Sequence, residues 1–171
     1  MIDAGNYRPR RDSPLPGLKP GGIDSLWVRH RLDRTVYKAF NTIHPFALER
    51  GGRSAGRSGR IALPVSGTAG TWKGEILWLV EQLGCCAVDA GELHDSWRQQ
   101  PEMPAYQADF DRAGLRRALT QATLDRRPVL EPRTHEDLDA LARRWSPSSQ
   151  LYEAARVALP AAIAPTQRLR A

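Results

Sequence analysis

A strand–helix–strand pattern in the middle of the chain limits the fold more than any other feature. Apolar residues alternate along Arg60–Ser66, recur at helical spacing along Trp72–Leu83, and form a second strand-like stretch at Cys85–Asp89. Gly84 is typical of a helix end, and Pro64 restricts the first strand to an edge or a bulge. Since the joints are short, the pattern predicts a βαβ unit and therefore a parallel or mixed sheet in an α/β fold.

Further elements flank this unit on both sides. The chain opens on a strand-like stretch, Met1–Asp3, which is shorter than the five or six residues of a typical strand and has no upstream partner. Residues 7–22 are predicted to be loop. The other predicted elements are a helix at 23–32, a strand at 35–40, a helix at 44–50, C-terminal helices capped by Asp111 and Thr134, and an amphipathic stretch at 151–159.

Composition places the chain among soluble globular proteins. Of its 171 residues, 41% are hydrophobic and 26% are charged, which suits one domain with a sizeable core. No run approaches the ~20 apolar residues of a membrane span, and no apolar signal region opens the chain, so we expect a cytoplasmic protein without a membrane partner. Cys85 and Cys86 would face opposite sides of a strand, which favours two small buried side chains over a disulfide.

The formal net charge of +6 is compatible with nucleic-acid binding. Arginines gather within 8–34 and 53–60, and most of those in these two ranges lie in loops rich in Gly, Pro and Ser. A helix that reads a nucleic-acid groove would instead carry its basic residues along one face. We therefore favour solvated arginines and expect no nucleic-acid partner, while arginines that bind cofactor phosphates are a second interpretation.

Two motif matches fail in their context. Gly52–Gly56 fits the G-x-S-x-G pattern, but a nucleophile elbow needs a strand before the serine and a helix after it, and here the order is reversed. His94, Asp95 and Ser96 are consecutive, so on a helix they point in different directions and cannot form a catalytic triad. The sequence has no P-loop and no pattern typical of zinc or calcium sites, so we predict no metal ligands.

The ends of the predicted strands are better candidates for a site. In an open α/β sheet, ligands bind beyond the carboxyl ends of the strands. Here those ends carry small and amide residues, at 3–6, 40–42, 65–67 and 88–91. Such residues allow a cofactor to approach closely and are equally typical of ordinary turns, so their spacing leaves both interpretations open.

Five stretches of sequence, in fixed order, carry a family resemblance: IDAGNY, VYKAFNTI, GRIALPVSG and VDAGELHDSWRQQP, followed by PAYQADFD. They resemble the NADP oxidoreductase family that couples NADPH to the deazaflavin coenzyme F-420. The bacterial relatives of that family are described as dinucleotide-binding proteins. The resemblance runs from Ile2 to about Leu124 and is weaker over Thr134–Trp145.

The resemblance implies a fold: an α/β, incomplete Rossmann-type (NAD(P)-binding) sheet with a βαβ unit, followed by C-terminal helices. In the family, a strand ending like IDAGN comes late, after the G-x-G-x-x-G turn that holds the cofactor pyrophosphate. This sequence has no G-x-G-x-x-G, so we expect the C-terminal part of such an enzyme, beginning at an internal methionine or a misplaced start codon. The implied division is 1–127 for this partial domain, 128–160 for a helical extension and 161–171 for a flexible tail.

The resemblance also implies a cofactor site. Asn6 would lie near the nicotinamide ribose of NADP(H), and Asn41, Thr42 and Ile43 would line the place where the nicotinamide meets a deazaflavin or flavin. In this family the hydride passes directly between the two rings, so no side chain is expected to be catalytic. The stretch Trp97–Gln99 matches a family signature, and both a structural and a substrate-binding role are open for it.

Two functions of different classes follow from the sequence. The first is an NADPH-dependent oxidoreductase that lacks its pyrophosphate turn, is inactive alone, and binds NADPH in the millimolar range or not at all. The alternative is a non-catalytic module that keeps the sheet for dimerisation or partner binding. In both cases an unpaired parallel strand and exposed apolar surface predict self-association, for example as a homodimer.

Overall fold

A computed structural model describes residues 1–8, 11–19 and 21–123. Over this part of the chain, short strands alternate with helices in a mixed α/β fold. In chain order the elements are β1 Ile2–Asp3, α1 Asp24–Leu32, β2 Tyr37–Lys38, α2 Pro45–Arg50, β3 Ala62–Val65, α3 Thr71–Gln82, β4 Cys86–Asp89, a 3₁₀ helix at Leu93–Gln99, and α4 Arg112–Gln121.

Several predictions fall outside the described residues. They are the helices at 134–145 and 151–159 and the division of the chain at 128 and 161. Within the described part, each predicted helix forms, and its bounds differ from the prediction by one or two residues. None of these helices is both long and apolar enough to cross a bilayer.

The predicted βαβ unit is confirmed. β3 and β4 are parallel, with Ala62 opposite Cys86 and Val65 opposite Asp89, and α3 connects them. Pro64 lies inside β3, which the sequence allowed only at an edge or a bulge. On the side away from β4, β3 is followed by a single antiparallel bridge, between Ser66 and Lys38, so among the described residues this edge carries almost no ladder for a proline to interrupt.

The strand at the start of the chain has its partner downstream, where the sequence had offered none. β1 is parallel to β2, with Ile2 opposite Tyr37 and Asp3 opposite Lys38. β2 itself is shorter than the predicted strand at 35–40. The Lys38–Ser66 bridge, with N···O distances of 2.8 and 3.0 Å, joins this two-stranded sheet to the β3–β4 sheet.

Two apolar clusters cover the opposite faces of β3 and β4, because successive residues of a strand point to opposite sides. On one face, α3 packs Ile76 and Val80 against Leu63 and Ala87. On the other, α4 packs Leu115 against the neighbouring strand residues. The second cluster comprises Ala62, Val88, Ala105, Leu115, Ala118 and Leu119.

Local signals account for the helix ends. The Asp111 side chain accepts from the Gly114 amide at 2.7 Å and caps α4 as predicted, and His44 caps α2 through the Phe46 amide at 3.3 Å. Gly84 follows α3 at a φ of 80°, which a glycine adopts without strain. Cys85 is buried and Cys86 is half-buried, both as free thiols, and burial raises the pKa of Cys85.

The Arg60 side chain caps the C-terminus of α3. Its buried guanidinium donates to the carbonyl oxygens of Glu81, Gly84 and Cys85, at 2.9, 3.2 and 2.6 Å. It also pairs with the Glu81 carboxylate at 3.0 Å. The last carbonyls of a helix lack intrahelical donors and carry the negative end of its dipole, so a cation at this position satisfies both needs.

Candidate functional site

Two asparagines meet where β1 and β2 end. The Asn6 side chain donates to the Asn41 carbonyl oxygen at 2.9 Å, and the Asn41 side chain donates back to Asn6 Oδ1 at 3.0 Å. Because β1 and β2 are parallel neighbours, their carboxyl ends lie at one edge of the sheet, where α/β folds bind ligands. The resemblance had assigned both residues to the cofactor site, and the structure brings them into direct contact.

Asn41 is buried and only partly satisfied. It is 2% exposed, and its amide nitrogen also donates to the Gln99 carbonyl oxygen at 2.7 Å. Both N–H groups are therefore used within the protein, while Asn41 Oδ1 has no hydrogen-bond partner among the described residues. A buried acceptor without a partner costs about 1–3 kcal/mol of stability. A hydrogen-bond donor that the described residues do not supply would therefore stabilise this atom.

The residue before Asn41 is strained. Phe40 has a φ of 63°, a left-handed conformation that bulky side chains rarely adopt. Such a conformation costs on the order of 1–3 kcal/mol and persists only where the surrounding structure enforces it. Here it lies two residues beyond β2, directly before Asn41, whose side chain bonds to Asn6 and Gln99.

Gln99, in the last turn of the 3₁₀ helix, reaches the exit of β3. It is fully buried, and its side-chain nitrogen donates to Ser66 Oγ at 2.5 Å. Ser66 Oγ in turn donates to the Ala90 carbonyl oxygen at 3.2 Å, just after β4. Gln99 Oε1 has no partner among the described residues. Gln99 therefore bonds directly to the residues that follow β2 and β3, and Ser66 extends the connection to the residue that follows β4.

A buried ionic network underlies the exit of β1. Lys38 has no exposed surface, and its ammonium group lies 3.1 Å from carboxylate oxygens of both Asp3 and Asp24. It also donates to the Gly5 carbonyl oxygen at 2.7 Å, and Ser25 Oγ donates to Asp3 at 2.6 Å. The network ties the turn that leads to Asn6 to β2 and to the start of α1.

The two remaining predicted site residues are also buried. Thr42 is buried, and its carbonyl oxygen accepts from the Gln107 amide at 2.9 Å. Ile43 belongs to the apolar cluster under α3, so packing accounts for it without a ligand. The contact of either residue with a cofactor stays a prediction.

Ser54, the serine of the G-x-S-x-G match, lies away from the asparagine pair. Ser54 is in the loop between α2 and β3, together with Arg53, whose amide donates to the Gly84 carbonyl oxygen at 3.0 Å. This loop lines a shallow groove with the C-terminal end of α3. Since the loop precedes β3 and Gly84 precedes β4, the groove lies at the amino ends of these strands, opposite to the edge that holds Asn41.

Comparison with known proteins gives partial matches. No family model matches the chain. YjhV, a protein of Escherichia coli (strain K12), is 32% identical over 81 residues, which are 47% of this chain and 59% of YjhV.

Two solved structures align over part of the chain. A protein of Arthrobacter sp. FB24, described as a candidate F420-dependent NADP reductase, aligns with a TM-score of 0.42 at 24% identity over 56% of this chain and 44% of its own. The hypothetical protein SMa0349 of Sinorhizobium meliloti aligns with a TM-score of 0.49 at 24% identity over 65% of this chain and 54% of its own. The chain therefore spans about half the length of the proteins it matches.

Proposed function

We propose that this chain forms the nicotinamide side of an NADP(H) oxidoreductase site, as the C-terminal part of a Rossmann-type sheet. The observation that carries the proposal is the Asn6–Asn41 pair at two adjacent parallel strand ends, with the unpartnered acceptor Asn41 Oδ1 beside it. The family resemblance of residues 2–124 supports the same assignment and suggests a deazaflavin or flavin as the partner in hydride transfer.

The residues at this edge fit a nicotinamide group. Its carboxamide has two N–H donors and one carbonyl acceptor. The carbonyl complements the second N–H of half-buried Asn6, and the donors complement Asn41 Oδ1, a buried acceptor that a ligand reaches only if the side chains covering it move. Asn6 is half-buried and follows the exposed residues Ala4 and Gly5, so the pair is approached from the β1 turn. Asn6 would hold the cofactor from that side, and Asn41 would fix the plane of the carboxamide.

Bound NADPH supplies the hydride, so the chain needs no catalytic acid or base of its own. What the protein adds is orientation and exclusion of water. The strained Phe40 and the bond to Gln99 hold Asn41 in one position before any ligand arrives. Ile43 lies two residues after Asn41 in the chain. Together with its apolar neighbours, it excludes water from that side of the site.

Titration of the chain with NADPH tests the proposal. We expect a dissociation constant in the millimolar range, with NMR shifts centred on the side-chain amides of Asn6 and Asn41. Asn41→Ala removes an uncharged hydrogen-bonding group worth ~0.5–1.5 kcal/mol, so affinity should fall by about two- to twelve-fold. Ser54→Ala, at the opposite edge of the sheet, is the control and should leave the affinity unchanged. Shifts confined to the Ser54 groove, or no binding at all, would contradict the proposal.

A second function, partner binding without catalysis, is favoured by the outer face of α3. Trp72 is 73% exposed, Trp78 is 59% exposed, and Leu83 just beyond the helix is 45% exposed. Aromatic side chains of this size dominate the energetics of protein interfaces, so two exposed tryptophans on one helix favour a contact with a partner.

Sedimentation velocity over a range of protein concentrations tests whether α3 is an interface between copies of the chain. If α3 is an interface between copies of the chain, the average mass should rise with concentration, and Trp72→Ser combined with Trp78→Ser should return it towards the monomer. Leu32→Ser, which changes a residue of α1 that is 46% exposed, is the control. A monomer at every concentration would contradict the role of α3 as an interface between copies of the chain.

A further inference from the structure

We propose that Gln99 is the positioning residue of this site, and that its side chain fixes the carbonyl oxygen that holds Asn41. The sequence had left the role of the Trp97–Gln99 block open. The consequence for NADPH rests on the proposed function, but the coupling between Gln99 and Asn41 does not.

The main-chain carbonyl oxygen of Gln99 contacts the side chain of Asn41. The Gln99 carbonyl oxygen lies at the C-terminal end of the 3₁₀ helix, where carbonyls lack intrahelical donors. It is therefore free to accept from the Asn41 amide at 2.7 Å, at a position that is 0% exposed. The orientation of Asn41 depends on where this carbonyl lies.

The side chain of Gln99 anchors the carbonyl oxygen of the same residue. Gln99 Nε2 donates to Ser66 Oγ, and Ser66 is held through its own main chain by two hydrogen bonds to Lys38. The glutamine is thus attached at both ends, to Asn41 through its carbonyl and to the exit of β3 through its side chain. The bridge runs across the edge where the proposed nicotinamide would bind.

The next residue is also a glutamine, but its side chain has a different partner. Gln100 is half-buried, and its side chain donates to the Gly22 carbonyl oxygen at 3.2 Å, in the loop before α1. It therefore secures the same stretch of chain without touching Asn41 or Ser66. Two adjacent residues of one type, with equal chemistry and different partners, form a matched pair for mutation.

The experiment compares Gln99→Met with Gln100→Met in the full chain. Both changes keep an unbranched side chain and remove one amide. We expect Gln99→Met to shift the side-chain NMR signals of Asn41 and to speed their hydrogen exchange by about two- to twelve-fold, whereas Gln100→Met should leave them unchanged. Ser66→Ala breaks the same bridge from its other end and should reproduce the effect, and the double variant Gln99→Met/Ser66→Ala should add nothing further.

An NADPH titration of the same variants supplies the second readout. Gln99→Met should weaken NADPH binding about as much as Asn41→Ala does, while Gln100→Met, at a comparable melting temperature, should not. Equal effects of the two glutamine variants on the Asn41 signals would overturn the positioning role and leave only general packing. If NADPH binds none of the proteins, the proposed function fails, and the Asn41 signals still decide the role of Gln99.

Discussion

Replacing Lys38 with methionine is expected to lower the free energy of unfolding by about 3–5 kcal/mol. The ammonium group has no exposed surface and lies between two carboxylates, Asp3 and Asp24, which are themselves largely buried. Removing it leaves two negative charges close together with no counter-charge, while the methionine restores only the apolar stem. Breaking a buried ion pair from one side is costly for this reason.

Urea unfolding of the wild type and Lys38→Met measures this effect. Lys73→Met is the matched control: Lys73 is also buried, but its partner Asp89 is 56% exposed and returns to water when the lysine is lost. Its cost should stay below about 2 kcal/mol. Lys38→Met combined with Asp24→Asn removes one of the stranded charges and should recover part of the loss. Equal losses for the two lysine variants would show that the network contributes no more than a surface pair.

The Lys38 network connects stability to the proposed site. Its bond to the Gly5 carbonyl oxygen fixes the turn after β1, and the residue that follows is Asn6. The backbone of Lys38 also forms the bridge to Ser66, to which Gln99 is bonded. One lysine therefore supports both the asparagine pair and the residue that positions it.

The βαβ unit could be predicted because its signals are local. Helical spacing along α3, the glycine at its end and the alternation along β3 each depend on residues within a few positions of one another. The resulting parallel pairing of β3 and β4 then follows from the short connections. Asp111 was recognised as a cap for the same reason, since its partner is the amide three residues on.

The pairing of β1 with β2 could not be predicted in this way. Each strand has only two residues, and the paired positions are 35 apart in sequence, so no periodic pattern reports the contact. Lys38 was missed too, because a lysine in a strand normally indicates a face in contact with water. Here Val36, Tyr37, Lys38 and Ala39 are all buried, and the carboxylates that make this possible come from distant elements.

The strand ends were candidates from the sequence pattern, but only the family resemblance selected Asn6 and Asn41 among them. Spacing alone could not separate a site from ordinary turns, and it said nothing about the contact between Asn6 and Asn41. Gln99 lies 58 residues from Asn41, and no local signal connects them. The stretch that contains it stood out by resemblance alone, and its bonds to two strand ends give it a physical role.

Gly67 shows how a small residue at a strand end can have an internal cause. The sequence allowed it to be small so that a cofactor could approach. In the structure it has a φ of 153°, and a Cβ added there would lie 2.3 Å from the ring of Tyr37. Tyr37 is 5% exposed and belongs to the main apolar cluster, so its ring has little room to move. The glycine is required by the core whether or not a ligand binds.

Gly67→Ala is therefore expected to lower the free energy of unfolding by about 2–6 kcal/mol. The backbone conformation contributes about 1–3 kcal/mol of strain, and the overlap with the Tyr37 ring contributes a similar amount. Gly74→Ala is the matched control, because a Cβ at Gly74 meets nothing within 4 Å on the exposed face of α3. An alanine in a helix is favoured over glycine by about 0.5–1 kcal/mol, so this variant should gain stability. Chemical unfolding of both variants should therefore give changes of opposite sign. A Gly67→Ala protein as stable as the wild type would contradict this steric role and would favour the interpretation that the glycine is small to let a cofactor approach.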